Sequence, residues 1–255
     1  MTGRVCVLGL GPGAEGLVTP DAAAALAAAS DILGYGPYVA RVKARTDQTI
    51  HASDNREELD RARHALGLAA DGREVVIVSS GDPGVFAMAA ALFEALEAGP
   101  VEWRGLDVDV QPGITAMLAA AARIGAPLGH DFCAINLSDN LKPQSLIERR
   151  LRLAAEADFA MAFYNPRSKA RPAGFEHALE ILRGACGPDR IVIFARAITT
   201  PEESLAVTTL GAATPEMADM RTLVIVGSSR TRVVPRAGGR LPWVYTPRSV
   251  PEGAW

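Results

Sequence analysis

Four short stretches of this chain are rich in glycine and proline, and each follows an apolar run of the kind that forms a strand. They are Gly9-Leu10-Gly11-Pro12-Gly13, Ser79-Ser80-Gly81-Asp82-Pro83-Gly84, Gln111-Pro112-Gly113-Ile114-Thr115-Ala116 and Tyr164-Asn165-Pro166. A strand that ends in this way presents bare backbone at its carboxyl end, where a ligand can approach closely. Four such ends predict a wall of backbone around a small ligand. A metal centre is not expected. Cys6, Cys133 and Cys186 are far apart with no CxxC spacing, and the four histidines show no ligand spacing. Reduced thiols in a cytoplasmic protein are the expectation.

The loops differ in what they offer. Gly9-Leu10-Gly11-Pro12-Gly13-Ala14 fits the loose dinucleotide pattern G-x-G-x-x-G/A. That pattern needs a helix to begin among the glycines, so that its N-terminus faces a pyrophosphate. Pro12, Gly13 and Gly16 oppose this, and the helix-start signal comes later, at Thr19-Pro20. Asp31 also stands at the start of the second strand instead of its end. A nicotinamide dinucleotide site is therefore set aside. A tight turn and a loop over a large substrate both remain open for Gly11 and Pro12. In the second stretch, Gly81 permits close approach, Pro83 can open a helix and Asp82 can cap it. Asp82 could instead lie beside a cationic ligand. Thr115 either caps or starts the next helix.

The elements that must position these loops follow from the apolar patterning. Strands are predicted at Arg4–Leu10, Asp31–Leu33, Glu74–Val78 and Leu106–Val110, with helices at Asp21–Ala29, Arg56–Ala70 and Val85–Glu97 between them. This alternation reads as α/β with a mainly parallel sheet. The second half is more mixed. Helices are expected at Ile114–Ile124, Pro143–Ala155 and Gly174–Gly184. Strands are expected at Phe132–Leu137, Phe159–Tyr164, Ile191–Ala195 and Thr222–Val226, with an antiparallel one at Glu203–Thr209. The expected domains are residues 1–112 and 113–234, followed by a tail from 235 to 255 that wraps the surface or a partner subunit.

Composition limits the function classes. The chain has 255 residues, 49% of them hydrophobic, with a net charge of −3 and a pI near 5.9. Nucleic-acid binding is not expected without a basic excess. No apolar run is long enough to span a bilayer, and Met1-Thr2-Gly3-Arg4 leads straight into a strand, so no signal peptide is expected.

In order and wording, the four loops resemble the tetrapyrrole methylases, which use S-adenosylmethionine (SAM) to methylate corrin precursors. The resemblance covers roughly residues 4–232. It implies two α/β domains with a ligand crevice between them, the class III SAM methyltransferase fold, and SAM as cofactor with S-adenosylhomocysteine as product. It also implies contacts. Ser80, Gly81, Asp82 and Val85 would cradle the methionine part of SAM. Gly113, Thr115 and Ala116 would touch the cofactor, Tyr164 and Asn165 its adenosine, and Ala197 and Thr222 its adenine. Asp82 would lie near the methyl donor and is the one catalytic candidate.

Three longer stretches, Gly34-Tyr35-Gly36-Pro37-Tyr38, Leu137-Ser138-Asp139-Asn140-Leu141-Lys142-Pro143 and Phe163–Arg171, resemble one branch of the family. That branch methylates C17 of precorrin-3B with ring contraction in cobalamin synthesis. Its substrate carries many carboxylates, so positive charge must be placed locally. Gly11, Pro12, Arg167, Lys169 and Arg171 are the substrate-binding candidates, and Arg41, Lys43 and Arg45 form a second basic group. Asp82, Asp139, His130 and Asp131 remain open as a base for the contraction step. The resemblance implies a homodimer, to which Glu203–Thr209 and a tail bearing Trp243, Tyr245 and Trp255 would contribute. A cobalt-bearing substrate, a sister SAM methyltransferase and a non-catalytic nucleotide-binding module are the alternatives.

Overall fold

Apolar strands alternate with alanine-rich helices from the first residues, and both faces of the resulting sheet are covered. The computed structural model describes residues 3–54, 56–168 and 170–253. Lys169 and Trp255 therefore lie outside the described residues. The chain divides into two compact units, Met1–Thr115 and Ala116–Trp255.

The first unit contains β1 (Arg4–Gly9), α1 (Pro20–Ala28), β2 (Asp31–Tyr35), α2 (Gly36–Val39), β3 (Thr49–Ser53), α3 (Glu58–Ala70), β4 (Glu74–Ser79), α4 (Met88–Ala98) and β5 (Asp107–Gln111). The strands form one sheet in the order β3-β2-β4-β1-β5, parallel throughout. Successive side chains of a strand point to opposite faces. In β4, Val75 and Ile77 enter one apolar cluster with Leu66 and Leu92. Val76 and Val78 enter another, with Leu8 and Ile32. This two-sided burial explains the unbroken apolar run of β4. Cys6 lies in the second cluster, where burial, helped by the charge of Asp109, pushes its thiol up to about 11. That keeps it inert.

Thr19 caps α1 as expected, accepting from Ala22 N at 3.3 Å. α4 differs from expectation: it starts at Met88, not at Val85. Phe86 has φ of 53°, a left-handed value that a right-handed helix excludes. Asp82 is then not a helix cap. The short strand β3 and the four-residue α2 were absent from the sequence reading.

The second unit contains α5 (Ala116–Ile124), β6 (Gly125–Ala126), β7 (Phe132–Asn136), α6 (Gln144–Glu156), β8 (Ala160–Tyr164), α7 (Gly174–Cys186), β9 (Ile191–Arg196), β10 (Ser204–Thr209), β11 (Thr222–Val226), β12 (Arg232–Val234) and β13 (Trp243–Tyr245). Its main sheet runs β10-β9-β11-β8-β7. β7 and β8 are parallel; the other pairs are antiparallel, β10 among them. Phe163, Phe175, Leu179 and Phe194 fill the core beneath α6 and α7. The tail is not separate. β13 pairs with β12 and with β6, Val244 is fully buried, and Thr246 Oγ1 donates to Pro127 O at 2.6 Å.

At the amino edge of the first sheet, buried Asp31 joins three strands. Its carboxylate accepts from Arg73 Nε at 2.7 Å, His51 Nε2 at 2.9 Å and Ser30 Oγ at 2.7 Å. Burial opposes ionisation, but these bonds outweigh it and hold the carboxyl at about 2, against an ordinary 3.8. A depressed carboxyl pKa stabilises the fold above the unfolded value and loses that contribution as pH falls toward the folded one. Asp31→Asn is expected to cost about 2 kcal/mol at neutral pH. In denaturant titrations, the gap between wild type and variant should close as pH falls from near 3.8 to about 2. A gap that stays constant over that range would refute this account.

Candidate active site

Three neighbouring strands of the first unit, β4, β1 and β5, end in loops that touch through glycines. A Cβ added to Gly9 would lie 2.8 Å from Gly113 Cα and closer still to Gly81 O; one added to Gly113 would lie 2.8 Å from Gly9 Cα. Both distances are below any real contact, and the obstacles are backbone. Gly11 and Gly81 also form an antiparallel bridge, with Gly81 N donating to Gly11 O at 2.9 Å and Gly11 N to Gly81 O at 3.2 Å. Their φ values are +64° and +67°, which suit glycine and strain other residues.

Asp82 locks this arrangement. Its Oδ1 accepts from Gly84 N at 2.8 Å and its Oδ2 from Gly113 N at 3.0 Å. The carboxylate thus spans the β4 and β5 loops, and both oxygens already serve backbone donors. Ser80 Oγ accepts from Arg41 Nη1 at 3.3 Å. Val85 N donates back to Asp82 O at 3.3 Å. Thr115 is buried, and Pro12 is half-buried beside Gly11. Gly11, Ser80, Gly81, Asp82 and Gly113 are therefore neighbours at one edge of one sheet.

The second unit gathers its own candidates at one sheet edge. Asn136 lies opposite Tyr164, Val224 opposite Phe163 and Thr222 opposite Arg196. The ends of β7, β8 and β9 and the start of β11 therefore share that edge. Tyr164 Oη accepts from Met117 N at 3.2 Å, which brings the start of α5 and Ala116 to it. Asn165 Nδ2 donates to Asn136 Oδ1 at 3.2 Å. Asn165, Ala197 and Thr199 have φ of 52°, 47° and 67°. Non-glycine residues in this region are strained, and such strain gathers at functional sites. Ala197 N donates to Arg221 O at 2.9 Å. The Thr222 hydroxyl donates to Asp219 Oδ1 at 2.7 Å and accepts from Asp219 N at 3.0 Å, so its side chain is occupied. Burial works against the Asp219 charge, but bonds from Thr222 and Arg196 hold its carboxyl below the usual range.

The basic residues are less free than their sequence suggests. Arg167 faces Glu216 at 4.0 Å, and Arg171 faces Asp139 at 3.7 Å. Arg171 also donates to Leu137 O at 3.4 Å. Among the four candidate bases, His130 and Asp131 precede β7 and stand at the opposite end of this sheet from Asn165. Asp139 follows β7 and lies on the Asn165 side. Sequence reasoning missed Asn136, whose amide orients Asn165, and the strained Phe86 and Thr199. Asn136 left a trace as a polar residue closing an apolar strand; the backbone strain left none.

Residues 4–214 match the tetrapyrrole (corrin/porphyrin) methylases. The chain belongs to that family. A precorrin-3B C(17)-methyltransferase of Sinorhizobium sp. is 57% identical over 248 residues, covering 97% of each chain. A probable cobalt-factor III C(17)-methyltransferase of Salmonella typhimurium is 40% identical over 230 residues, 89% of this chain and 93% of its own. The crystal structure of the methyltransferase CobJ shares 66% identity with a TM-score of 0.91, covering 96% of this methylase and all of that chain.

The geometry makes Asp82 a positioning residue. Asp82→Ala should leave the half-buried Gly113 N–H without its acceptor and destabilise the protein by about 1–3 kcal/mol. S-adenosylhomocysteine affinity should fall with it in calorimetry. Unchanged melting and unchanged affinity together would show that the carboxylate does not hold the loops.

Proposed function

We propose that this methylase transfers a methyl group from SAM to C17 of precorrin-3B, with ring contraction to precorrin-4, in cobalamin biosynthesis. The observation that carries the reading is the end-to-end 57% identity to the Sinorhizobium enzyme, matched by the 66% identity to CobJ over nearly the whole chain. The lower identity to the Salmonella cobalt-factor III relative, 40%, favours the metal-free substrate.

The residues present fit SAM. Backbone N–H and C=O groups at glycine-rich strand ends suit an amino-acid moiety. The Asp82 carboxylate offers negative charge toward a sulfonium. Ala116, Ala197 and the Asn165 amide suit a flat purine. We assign the methionine end of the cofactor to Ser80, Gly81, Asp82, Val85, Gly113 and Thr115, and the adenosine end to Ala116, Tyr164, Asn165, Ala197 and Thr222. When bound, SAM supplies an electrophilic methyl for direct displacement by a ring carbon. The chain's own contribution is alignment and exclusion of water. The loops that would do this are held by hydrogen bonds internal to the protein, so they need little reordering when a ligand arrives. Gly11, Pro12, Arg167, Lys169 and Arg171 are assigned to the tetrapyrrole. For the proton released during contraction, Asp139 is the carboxylate retained, since both Asp82 oxygens already accept from backbone N–H groups.

We place the enzyme in the cytoplasm, where its free cysteines stay reduced, and read it as a homodimer. Exposed Val233, Val234 and Trp243 on β12 and β13 support the dimer. Light scattering should give twice the chain mass at micromolar concentration; a monomer would refute the dimer.

Incubation with SAM and precorrin-3B should yield a product with one more methyl group, with NMR placing it at C17 of a contracted ring. Saturating S-adenosylhomocysteine should raise the melting temperature, since a ligand at 100 times its Kd adds about 2.7 kcal/mol. NAD should leave the melting temperature unchanged. A rise with NAD and none with S-adenosylhomocysteine would sink the methyltransferase reading.

A further inference from the structure

Arg41 ties the β1 loop to the β4 loop with a charge that has no carboxylate partner among the described residues. Its Nη2 lies 2.6 Å from Leu10 O, 3.1 Å from Gly11 O and 3.4 Å from Gly13 O. Its Nη1 donates to Ser80 Oγ at 3.3 Å. Every one of these acceptors is neutral. The acid of the β1 loop, Glu15, is taken by Lys43 at 2.9 Å. Desolvation of the half-buried guanidinium draws its pKa below the ordinary arginine value. A cation in such a place is costly without an anion.

A guanidinium carries five N–H donors in a rigid fork. In Arg41, Nε and one hydrogen of Nη1 meet no acceptor among the described residues. Arg61 makes a contrast. It is only 4% exposed, and its three nitrogens are spent on Ser53 Oγ, Asp54 O and Met88 Sδ. Arg183 of α7 also donates to carbonyls, Leu210 O and Ala213 O, which flank the Gly211 turn of the second unit and not the β1 and β4 loops. Arg41 alone of the three couples neutral acceptors with unused donors beside Gly11 and Ser80.

We propose that Arg41 is a carboxylate-recognition residue: the unused N–H of Nη1, beside Ser80, donates to a carboxylate oxygen of the ligand bound over the β1 and β4 loops, while Nη2 holds the β1 loop in place. The proposal rests on the methyltransferase reading. Two ligands of that reaction carry the required group. SAM has an α-carboxylate, and the tetrapyrrole has peripheral acetates and propionates.

The test compares Arg41→Gln and Arg41→Lys with wild type, using Arg183→Gln as a purely structural control. Titrations use S-adenosylhomocysteine and 5′-methylthioadenosine, which lacks the carboxylate; kinetics use SAM and precorrin-3B. Losing one charge-assisted contact should weaken binding about 10- to 100-fold. If the cofactor supplies the carboxylate, Arg41→Gln weakens S-adenosylhomocysteine by that factor and leaves 5′-methylthioadenosine unchanged. If the tetrapyrrole supplies it, KM for precorrin-3B rises by that factor, with kcat and S-adenosylhomocysteine affinity retained. Arg41→Lys, which keeps the charge but not the fork, should fall between and serves if the glutamine variant does not fold. Equal weakening of both adenosine ligands, a fall in kcat alone, or behaviour matching Arg183→Gln would overturn the proposal. Failure of wild type itself to bind S-adenosylhomocysteine would instead overturn the methyltransferase reading, and the two failures are distinct.

Discussion

The arrangement at the carboxyl edge of the first sheet depends on one contact, the approach of Gly9, Gly81 and Gly113 to within a distance that no Cβ could survive. Three adjacent strands can converge this closely only where side chains are missing. Once they do, the Gly11–Gly81 bridge and the Asp82 carboxylate become possible, because each needs its partners within hydrogen-bond reach. The loops are then held by bonds to one another. A segment so tied is already ordered before any ligand arrives, which removes most of the entropy cost of ordering it on binding.

The buried Asp31 carboxylate and the glycine loops stand at opposite ends of the same sheet. The amino edge carries Asp31, buried and bonded to Arg73, His51 and Ser30. That carboxylate joins β2, β3 and the segment leading into β4, so the strands start in register. The carboxyl edge is free to carry strained or unusual backbone because the register is secured elsewhere. The second unit shows the same economy in a different form. Its strained residues Asn165, Ala197 and Thr199 stand at the ends of β8 and β9, held by Asn136, Arg221 and Glu203, while the core beneath is ordinary apolar packing.

Much of this was legible in the sequence, and what was not has a physical cause. Strand positions were legible because a strand covered on both faces is apolar along its buried length, as β4 is from Val75 to Val78 and β11 from Leu223 to Val226. The glycine loops were legible because glycine and proline restrict backbone in ways composition reveals. β3 was missed because it is an edge strand, mostly exposed, with His51 and Ser53 in it. The start of α4 was misplaced because Asp-Pro is also a sound helix opening; left-handed Phe86 breaks that opening, and the Asp82 side chain serves Gly84 N and Gly113 N, the latter 31 residues away in sequence. Long-range contact likewise decides the basic residues. Arg167 and Arg171 read as free charges until Glu216 and Asp139 are seen opposite them. Left-handed Phe86 and Thr199 have no sequence signature at all.

Those ion pairs bear on how an acidic protein can accept a polycarboxylate. A partly exposed pair at 3.7 to 4.0 Å is weak and screened, so an incoming carboxylate can compete for the arginine. The protein's own acid then acts as a placeholder that keeps the guanidinium oriented and limits repulsion between neighbouring cations while no ligand is bound. Burial first, then the nearby charges of Arg150 and Arg171, draw the pKa of Lys142 down. Among the described residues, Arg41 has no such acid; three carbonyls and the Ser80 hydroxyl orient it. Charge held by dipoles and charge held by an exchangeable acid are two ways of keeping arginine ready in a chain whose net charge is −3. On the reading proposed for Arg41, an anion would bind there without breaking an ion pair among the described residues.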